Sequence, residues 1–537
     1  MLEAPTAAAA RSPLRDAGYT VSLLAAAILC GYGLLAPDRL GLATAAEPPA
    51  RIVAAIAPTD QAPLPRPTAA VPTPTLAGPE ATKTVSPVAH QVGAAKPVQI
   101  ARVTPEQPPP ARPTPDVRPV PQPVPERPRG TWSGPVSGKV VDQDSQPVAG
   151  ASVVAAGVET RIADDGTFTV TPPADATLIV KRPGYAKVTI EPGTTKGPLE
   201  ITLRPQAIKA AYLTYFGFGD RGIRGRVLDL VERTELNAVV IDVKGDRGWI
   251  IYQTRVEQAL AVGAQGPGTL REFDAMMADL KARGVYTIAR IVTFKDNILG
   301  TRRPDLAIMD TRTGKPWIDR ENLVWVDPFR EEVWNYNIAI AKEAIERGFD
   351  EVQFDYVRFP TDGKLQAAKY LKPVSKETRL PTIAAFLQRA RKELGARGAY
   401  VAADLFGYTA FNENDTDIGQ RIEELAPHLD YICPMVYPSG YHVGIPGYRN
   451  PVQNSYAVVR ESVRLIRKRA AHTPARVRPW LQDFKDYAFD RRIFGVNEIR
   501  DQIRGTDEGG GTGWMLWNPR NDYTKAALRE KGPLAAR

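Results

Sequence analysis

Cysteine and histidine are nearly missing from this chain: two of the first and four of the second in 537 residues. Cys30 lies in an apolar N-terminal run, remote from Cys433, so neither a disulfide framework nor a cysteine-based zinc site is available. His90, His428, His442 and His472 form no His-x-His pair and no HExxH pattern, which argues against a transition-metal centre. A glycine-rich phosphate loop is also missing. Gly217-Phe218-Gly219 is a weak substitute for one. Charge of one sign does not dominate. The net charge is +9, but about half of that excess falls in a proline-rich stretch between Arg51 and Gly130. The remaining charges are mixed rather than striped, so no nucleic-acid partner is expected.

One long hydrophobic run is present. Ala17 to Ala36 carries no charge and can span a bilayer at about 1.5 Å per residue. Arg11 and Arg15 precede it, which favours a cytoplasmic N-terminus for residues 1–16. Residues 17–36 read either as an uncleaved signal anchor or as a signal peptide cut near Ala43-Thr44-Ala45. Both readings export the rest of the chain, tethered to the inner membrane with periplasmic domains or secreted. Residues 37–132 form a Pro/Ala-rich linker holding nearly half of the 49 prolines. Such a segment favours extended polyproline II over helix or sheet, and it is expected to act as a tether.

The texture then changes twice. Residues 133–205 hold about seven short alternating strands, with a hairpin turn expected at Asp165-Gly166, and predict a small β-sandwich. Residues 206–537 alternate strand and helix signals. Strands are expected at Ala210 to Phe216, Ala238 to Lys244, Tyr286 to Val292, Glu351 to Phe359, Tyr400 to Phe406, Tyr431 to Tyr437, Val477 to Phe484 and Gly513 to Trp517. Asp327-Pro328 predicts the start of a helix over Phe329 to Arg347, and another helix is expected over Ile418 to Leu425. Eight such repeats predict a (β/α)8 TIM barrel, with a doubly wound open sheet as the main rival.

Asp355 sits in the middle of a run with the apolar and aromatic content of a strand. A lone carboxylate there is aimed at something, and the mouth of a parallel barrel is where active sites are built. Asp404 on the next strand would face it. Two carboxylates across a cleft are the minimum for cutting a glycosidic bond, one protonated as acid and one ionised. Asp355 and Asp404 are therefore the candidate catalytic pair, with no cofactor and no metal required. Asp242, Lys244, Arg358, Tyr437, Gln482, Asp483 and Asn518 lie at other strand ends and are candidate substrate contacts. Seven of the eight tryptophans fall in the barrel segment; Trp249, Trp317 and Trp517 are candidate stacking surfaces for sugar rings. Two rivals remain: a non-catalytic carbohydrate-binding barrel, and a metal-dependent hydrolase using Asp242, Asp355 and Asp404 as oxygen ligands.

The run GKVVDQDSQPVAGASVVA resembles the opening of a carboxypeptidase regulatory-like domain, with Gly138, Asp142, Pro147, Gly150 and Val153 carrying the likeness. That resemblance implies a prealbumin-type sandwich without a catalytic site. The runs ELNAVVIDVKGDRG, FDEVQFDYVRFPTDG, VAADLFGYTAF, LDYICPMVYPSGY and GWMLWNP resemble the "putative glycosyl hydrolase domain" family of exported bacterial proteins. This second resemblance implies a TIM barrel, a glycosidase-type activity and a polysaccharide partner. It implies neither a particular catalytic pair nor a particular sugar.

Overall fold

The alternation of β-branched and polar residues that begins near Val136 does form a sandwich. The computed structural model describes residues 130–193 and 197–531. The strands are β1 (Val136–Val141), β2 (Ser152–Ala155), β3 (Val158–Arg161), β4 (Thr167–Val170), β5 (Leu178–Lys181), β6 (Val188–Ile190) and β7 (Leu199–Thr202). They pair as two sheets, β4-β1-β7 and β3-β2-β5-β6. Val140, Val153, Leu178, Val180 and Ile201 meet between them as a core. Asp165-Gly166 does make a tight turn, with Gly166 at φ 83°. It is not a hairpin, because β3 pairs with β2 while β4 pairs with β1. The turn instead carries the chain from one sheet to the other. Trp132, assigned to the tether from sequence, donates its indole N–H to Ala176 O at 2.7 Å and so belongs to the sandwich.

The second body is a closed barrel of eight parallel strands. They are β8 (Ile208–Leu213), β9 (Ala238–Lys244), β10 (Tyr286–Val292), β11 (Glu351–Asp355), β12 (Tyr400–Phe406), β13 (Tyr431–Met435), β14 (Trp480–Gln482) and β15 (Gly513–Trp517). Neighbours follow chain order, and β15–β8–β9 pairing closes the cylinder. The open-sheet rival is thereby excluded.

Four strands match the sequence expectation at both ends; β8 is shifted towards the N-terminus, and β11, β13 and β14 are shorter than expected. β11 stops at Asp355 because Tyr356 turns into the left-handed region at φ 49°. β14 is interrupted at Pro479, which has no N–H to donate to a ladder.

Helices α1 (Arg221–Arg233), α2 (Phe273–Ala282), α3 (Glu331–Glu346), α4 (Lys376–Gly395), α5 (Ile422–Leu425), α6 (Ser455–Arg469) and α7 (Val496–Gly509) wrap the outside. α3 starts two residues later than the Asp327-Pro328 signal implied. The Asp327 carboxylate instead accepts from Phe329 N at 3.0 Å and Leu371 N at 2.6 Å, tying a loop down ahead of the helix. α5 covers only the last four residues of the expected Ile418 to Leu425 helix.

Outward residues such as Ile241, Ile291, Phe354 and Leu405 pack under the helices, while inward Val240, Ile288, Ala402 and Met515 fill the barrel. The sandwich sits on the end where the strands begin. Lys181 Nζ donates to Ala399 O at 2.7 Å and Lys187 Nζ to Asp350 O at 2.7 Å. Tyr400 OH donates to Arg182 O at 2.7 Å, and Gly184 N donates to Tyr431 OH at 2.9 Å. The opposite, C-terminal end of the strands is left as the mouth.

The expected membrane segment, residues 17–36, lies outside the described residues, as does the tether up to residue 129. Among the described residues no helix is long and apolar enough to cross a membrane.

Candidate active site

Strand alternation on β11 sends Val352 and Phe354 outward to the helices and turns Glu351, Gln353 and Asp355 inward. Asp355 is thus the last strand residue, at the mouth rather than mid-strand. Its Oδ1 accepts from the Tyr356 backbone N–H at 2.6 Å. That bond helps hold Tyr356 in a left-handed conformation that costs a bulky residue about 1–2 kcal/mol.

The group facing Asp355 is Arg290, which the sequence reading passed over. On β10, Tyr286, Ile288 and Arg290 point inward, and Arg290 is buried. Its Nε donates to Asp355 Oδ2 at 3.1 Å, and Nη2 donates to the same oxygen. Its Nη1 donates to Asp242 Oδ1 at 2.5 Å. The guanidinium lies 5.0 Å from the Trp517 ring centre and 5.6 Å from that of Tyr212. Burial works against its charge, but the carboxylates of Asp242 and Asp355 outweigh burial and hold its pKa well above the usual value. A signal for Arg290 was available. A lone arginine in the apolar run YTIARIV deserves the same question as a lone aspartate in EVQFD.

Asp404 turns inward from β12 and completes the cluster. Trp480 Nε1 donates to its Oδ1 at 2.7 Å, whereas its Oδ2 is buried with no hydrogen-bond partner. Arg290 Nε is 3.8 Å from that oxygen, beyond hydrogen-bonding range. Since the same Nε is 3.1 Å from Asp355 Oδ2, the two carboxyl oxygens are at most about 7 Å apart. That limit includes the roughly 5.5 Å expected of a retaining glycosidase pair. Three carboxyls share one guanidinium, so full ionisation would leave uncompensated negative charge out of water. Burial first, and the Asp355 charge second, push the Asp404 pKa well above the carboxylate range. Burial also raises that of Asp242, against Arg290 and a hydrogen bond donated by Tyr212 OH at 2.5 Å. Aromatic rings wall the cluster: Trp517 stacks on Tyr212 at 4.0 Å, and Trp480 stands edge-on to Trp517 at 5.3 Å.

The mouth therefore gathers Asp242, Asp355, Asp404 and Trp517 among the sequence candidates. Others lie elsewhere. Lys244 is turned away by a register shift: β9 pairs Asp242 with Arg290 but Lys244 with Ile291, so Lys244 faces the helices. There it forms a fully buried pair with Asp296 at 2.6 Å. Trp317 is only 1% exposed, packed in the outer core with its indole N–H donating to Lys364 O at 3.0 Å, so it has no free face for a sugar. Arg358, expected to orient Asp355 or a sugar hydroxyl, stacks over Trp325 at 5.2 Å and Tyr356 at 5.3 Å and donates to Phe359 O at 3.0 Å.

Trp249 is half-buried on the rim after β9, 6.3 Å from the exposed ring of Phe216. Tyr437 packs edge-on to Phe484 at 5.5 Å inside the barrel. Gln482 donates to Ser439 Oγ at 2.7 Å and Phe484 O at 3.1 Å, and accepts from Ser439 N at 3.1 Å, so it anchors loops. Asp483 accepts from Thr524 N at 3.0 Å and Thr524 Oγ1 at 2.9 Å, and burial pushes its pKa up to about 6. Asn518 donates to Asp522 O at 2.6 Å and accepts from Arg520 N at 2.8 Å. No group of three or more His, Cys, Asp or Glu side chains among the described residues is placed to hold a metal ion. Between Asp242 and Asp355 the position of a cation is filled by Arg290.

Residues 135–204 match the carboxypeptidase regulatory-like domain. No curated protein matches the chain. Among solved structures, a hypothetical protein from Ruminiclostridium thermocellum is 35% identical over 36% of this chain and 96% of its own, with a TM-score of 0.32. The PgaB (BpsB) glycoside hydrolase domain from Bordetella bronchiseptica is 14% identical over 61% of this chain and all of its own, with a TM-score of 0.43. A class V chitinase from Pseudomonas fluorescens is 10% identical over 60% and 97%, with a TM-score of 0.38. Residues 210–523, more than half of the chain and nearly all of the barrel, match the family described as "Putative glycosyl hydrolase domain", and the chain belongs to that family.

Proposed function

We propose that this protein is an exported glycoside hydrolase that cleaves a cell-envelope or extracellular polysaccharide with two carboxyl groups. Asp404 is the general acid. Its bare Oδ2, buried beside an ionised Asp355, is the place where a proton is held. That proton passes to the glycosidic oxygen as the bond breaks. Asp355, fixed by Arg290 and the Tyr356 N–H, is the ionised partner that attacks the sugar or draws a proton from water. Trp517, backed by Tyr212 on one face, and the half-buried Trp249 on the rim offer ring surface to a pyranose. The single observation that carries the reading is the imbalance of three carboxyls around one guanidinium. Residues 17–36 direct export of the rest of the chain.

The test is a screen of envelope and extracellular glycans for new reducing ends, using the wild type and Asp355→Asn. The wild type is expected to cleave at least one glycan that the variant leaves intact while keeping its fold by circular dichroism. Equal turnover by the two proteins would refute the assignment. Tight binding of a glycan with no cleavage would instead favour the non-catalytic reading.

A further inference from the structure

Beside the catalytic cluster, the loops after β14 and β15 enclose a recess of about 370 Å³. That volume falls within the roughly 300–1,000 Å³ of small-molecule sites. Phe484 joins the recess to the barrel: it lines the recess and packs in the same interior cluster as Trp480 and Trp517. Tyr487 lies parallel to Phe484, at 4° and 6.3 Å, and gives the recess an aromatic wall.

Cations outnumber anions in this wall. Lys485, Arg491 and Arg520 line it, and none of the three forms an ion pair among the described residues. The neighbouring arginine differs: Arg492 is paired with Asp490. Of the two aspartates in the lining, Asp486 is committed to the loop itself. It accepts from Ser439 Oγ at 2.7 Å, Ala488 N at 3.1 Å, Phe489 N at 2.9 Å and Arg491 N at 2.9 Å. Those four bonds occupy its oxygens, favour its ionised form and fix the loop that carries Arg491. The lining thus holds three cations against two anions, and the two arginines and the lysine keep their donors free of carboxylate partners among the described residues. The mouth proper has the opposite sign, with three carboxyls around Arg290.

We propose that this recess is a sugar subsite for a residue bearing an anionic substituent, carboxylate or sulfate, so that the polysaccharide cleaved is an acidic one. This rests on the glycosidase reading above. The aromatic wall takes the apolar face of the ring, and the unpaired cations take its substituent while the scissile bond lies over Asp404. Guanidinium groups suit both substituents because their paired N–H groups match planar or tetrahedral oxyanions.

The experiment measures binding to the full-length protein carrying Asp404→Asn, which prevents turnover. The probes are a hexuronate tetrasaccharide, the same oligosaccharide after reduction of its carboxyls to alcohols, and a sulfated form of that neutral product. The hexuronate or the sulfated probe is expected to bind at least tenfold more tightly than the neutral one, with a preference that shrinks as salt is raised. Adding Arg491→Gln and Arg520→Gln, both exposed, is expected to bring the ratio close to one. Which of the two anionic probes binds more tightly identifies the substituent. Equal affinity for all three probes, no binding of any, or a preference that survives the double substitution would overturn the proposal. Failure of the glycosidase reading looks different: the wild type would bind acidic probes preferentially and cleave none. Cleavage of neutral glycans without charge preference would remove this proposal and leave the enzyme standing.

Discussion

The two ends of the barrel each bury an arginine among acids, and the two clusters are built differently. At the floor, Arg478 meets Glu351, with both side chains fully buried. Arg478 Nη1 donates to Glu351 Oε2 at 3.1 Å, Nη2 donates to Oε1, and Tyr286 OH donates to Oε2 at 3.0 Å. The guanidinium stacks on Tyr431 at 4.2 Å, and the sandwich closes over Tyr431 and Tyr400 from below. One cation faces one anion, and both acid oxygens are bonded. At the mouth, Arg290 faces Asp242, Asp355 and Asp404, and one acid oxygen has no bond. A balanced buried pair has nothing to exchange; an unbalanced one must hold a proton, and a held proton can be delivered. The same side-chain chemistry thus closes one end of the cylinder and leaves the other with an acid oxygen unpartnered.

This contrast can be broken at several points. The largest effect is expected at the mouth: Asp404→Asn should lower glycan hydrolysis by about 10²–10⁴-fold, the usual range for a general acid, with an unchanged urea midpoint. At the floor the outcome should reverse. Arg478→Met strands Glu351 without its partner and should cost about 3–5 kcal/mol of stability in urea unfolding.

Asp483 adds a pH test on the mouth side. Its pKa is raised from 3.8 to about 6. The folded state therefore favours the protonated acid, and its contribution is fully present below about pH 4 and lost as pH rises through 6. Asp483→Asn should remove about 2 kcal/mol of that decline, read as the difference in unfolding free energy between pH 4 and pH 7.

Lys181→Met should cost about 1–3 kcal/mol by leaving Ala399 O without its donor, and should raise hydrogen exchange at the N-terminal ends of β12 and β13 while leaving those of β8 and β9 unchanged. The smallest shift is expected for Trp480→Phe. The indole N–H favours the ionised form of Asp404, so its loss should move the alkaline limb of the activity profile up by about one pH unit. A floor-type structural role for Trp480 would change stability and leave that limb where it is.

Much of the barrel was legible because strand signals are local. Ala238–Lys244, Tyr286–Val292, Tyr400–Phe406 and Gly513–Trp517 follow from runs of β-branched and aromatic residues, and the structure ends them where the sequence does. The site was legible only in part. Asp355 and Asp404 stand out as acids in apolar strands, and a period of two places both inward. Lys244 misled for a physical reason: the register shift after Asp242 breaks that period, and a shift of one residue reverses which layer a side chain enters. Arg358 misled because nearness in sequence suggested a partner for Asp355. The partner came from β10 instead, because in a parallel barrel the adjacent strand lies closer than the next residues along a turning loop. The docking of the sandwich on the barrel was not legible, because nothing in Lys181 or Lys187 announces that the acceptors are barrel carbonyls.

The order of residues along the chain determined the eight barrel strands and the helices between them, the sandwich before them and the presence of two acids on neighbouring strands. Those features depend on side-chain period and type within a few residues. Tertiary structure alone decided which acid at the mouth keeps one oxygen without a bond, since that depends on Arg290 from β10, Asp355 from β11 and Trp480 from β14 meeting Asp404 from β12. Proton affinity is set by loss of water and by charges a few ångströms away, and both are properties of the assembled cylinder rather than of any one strand.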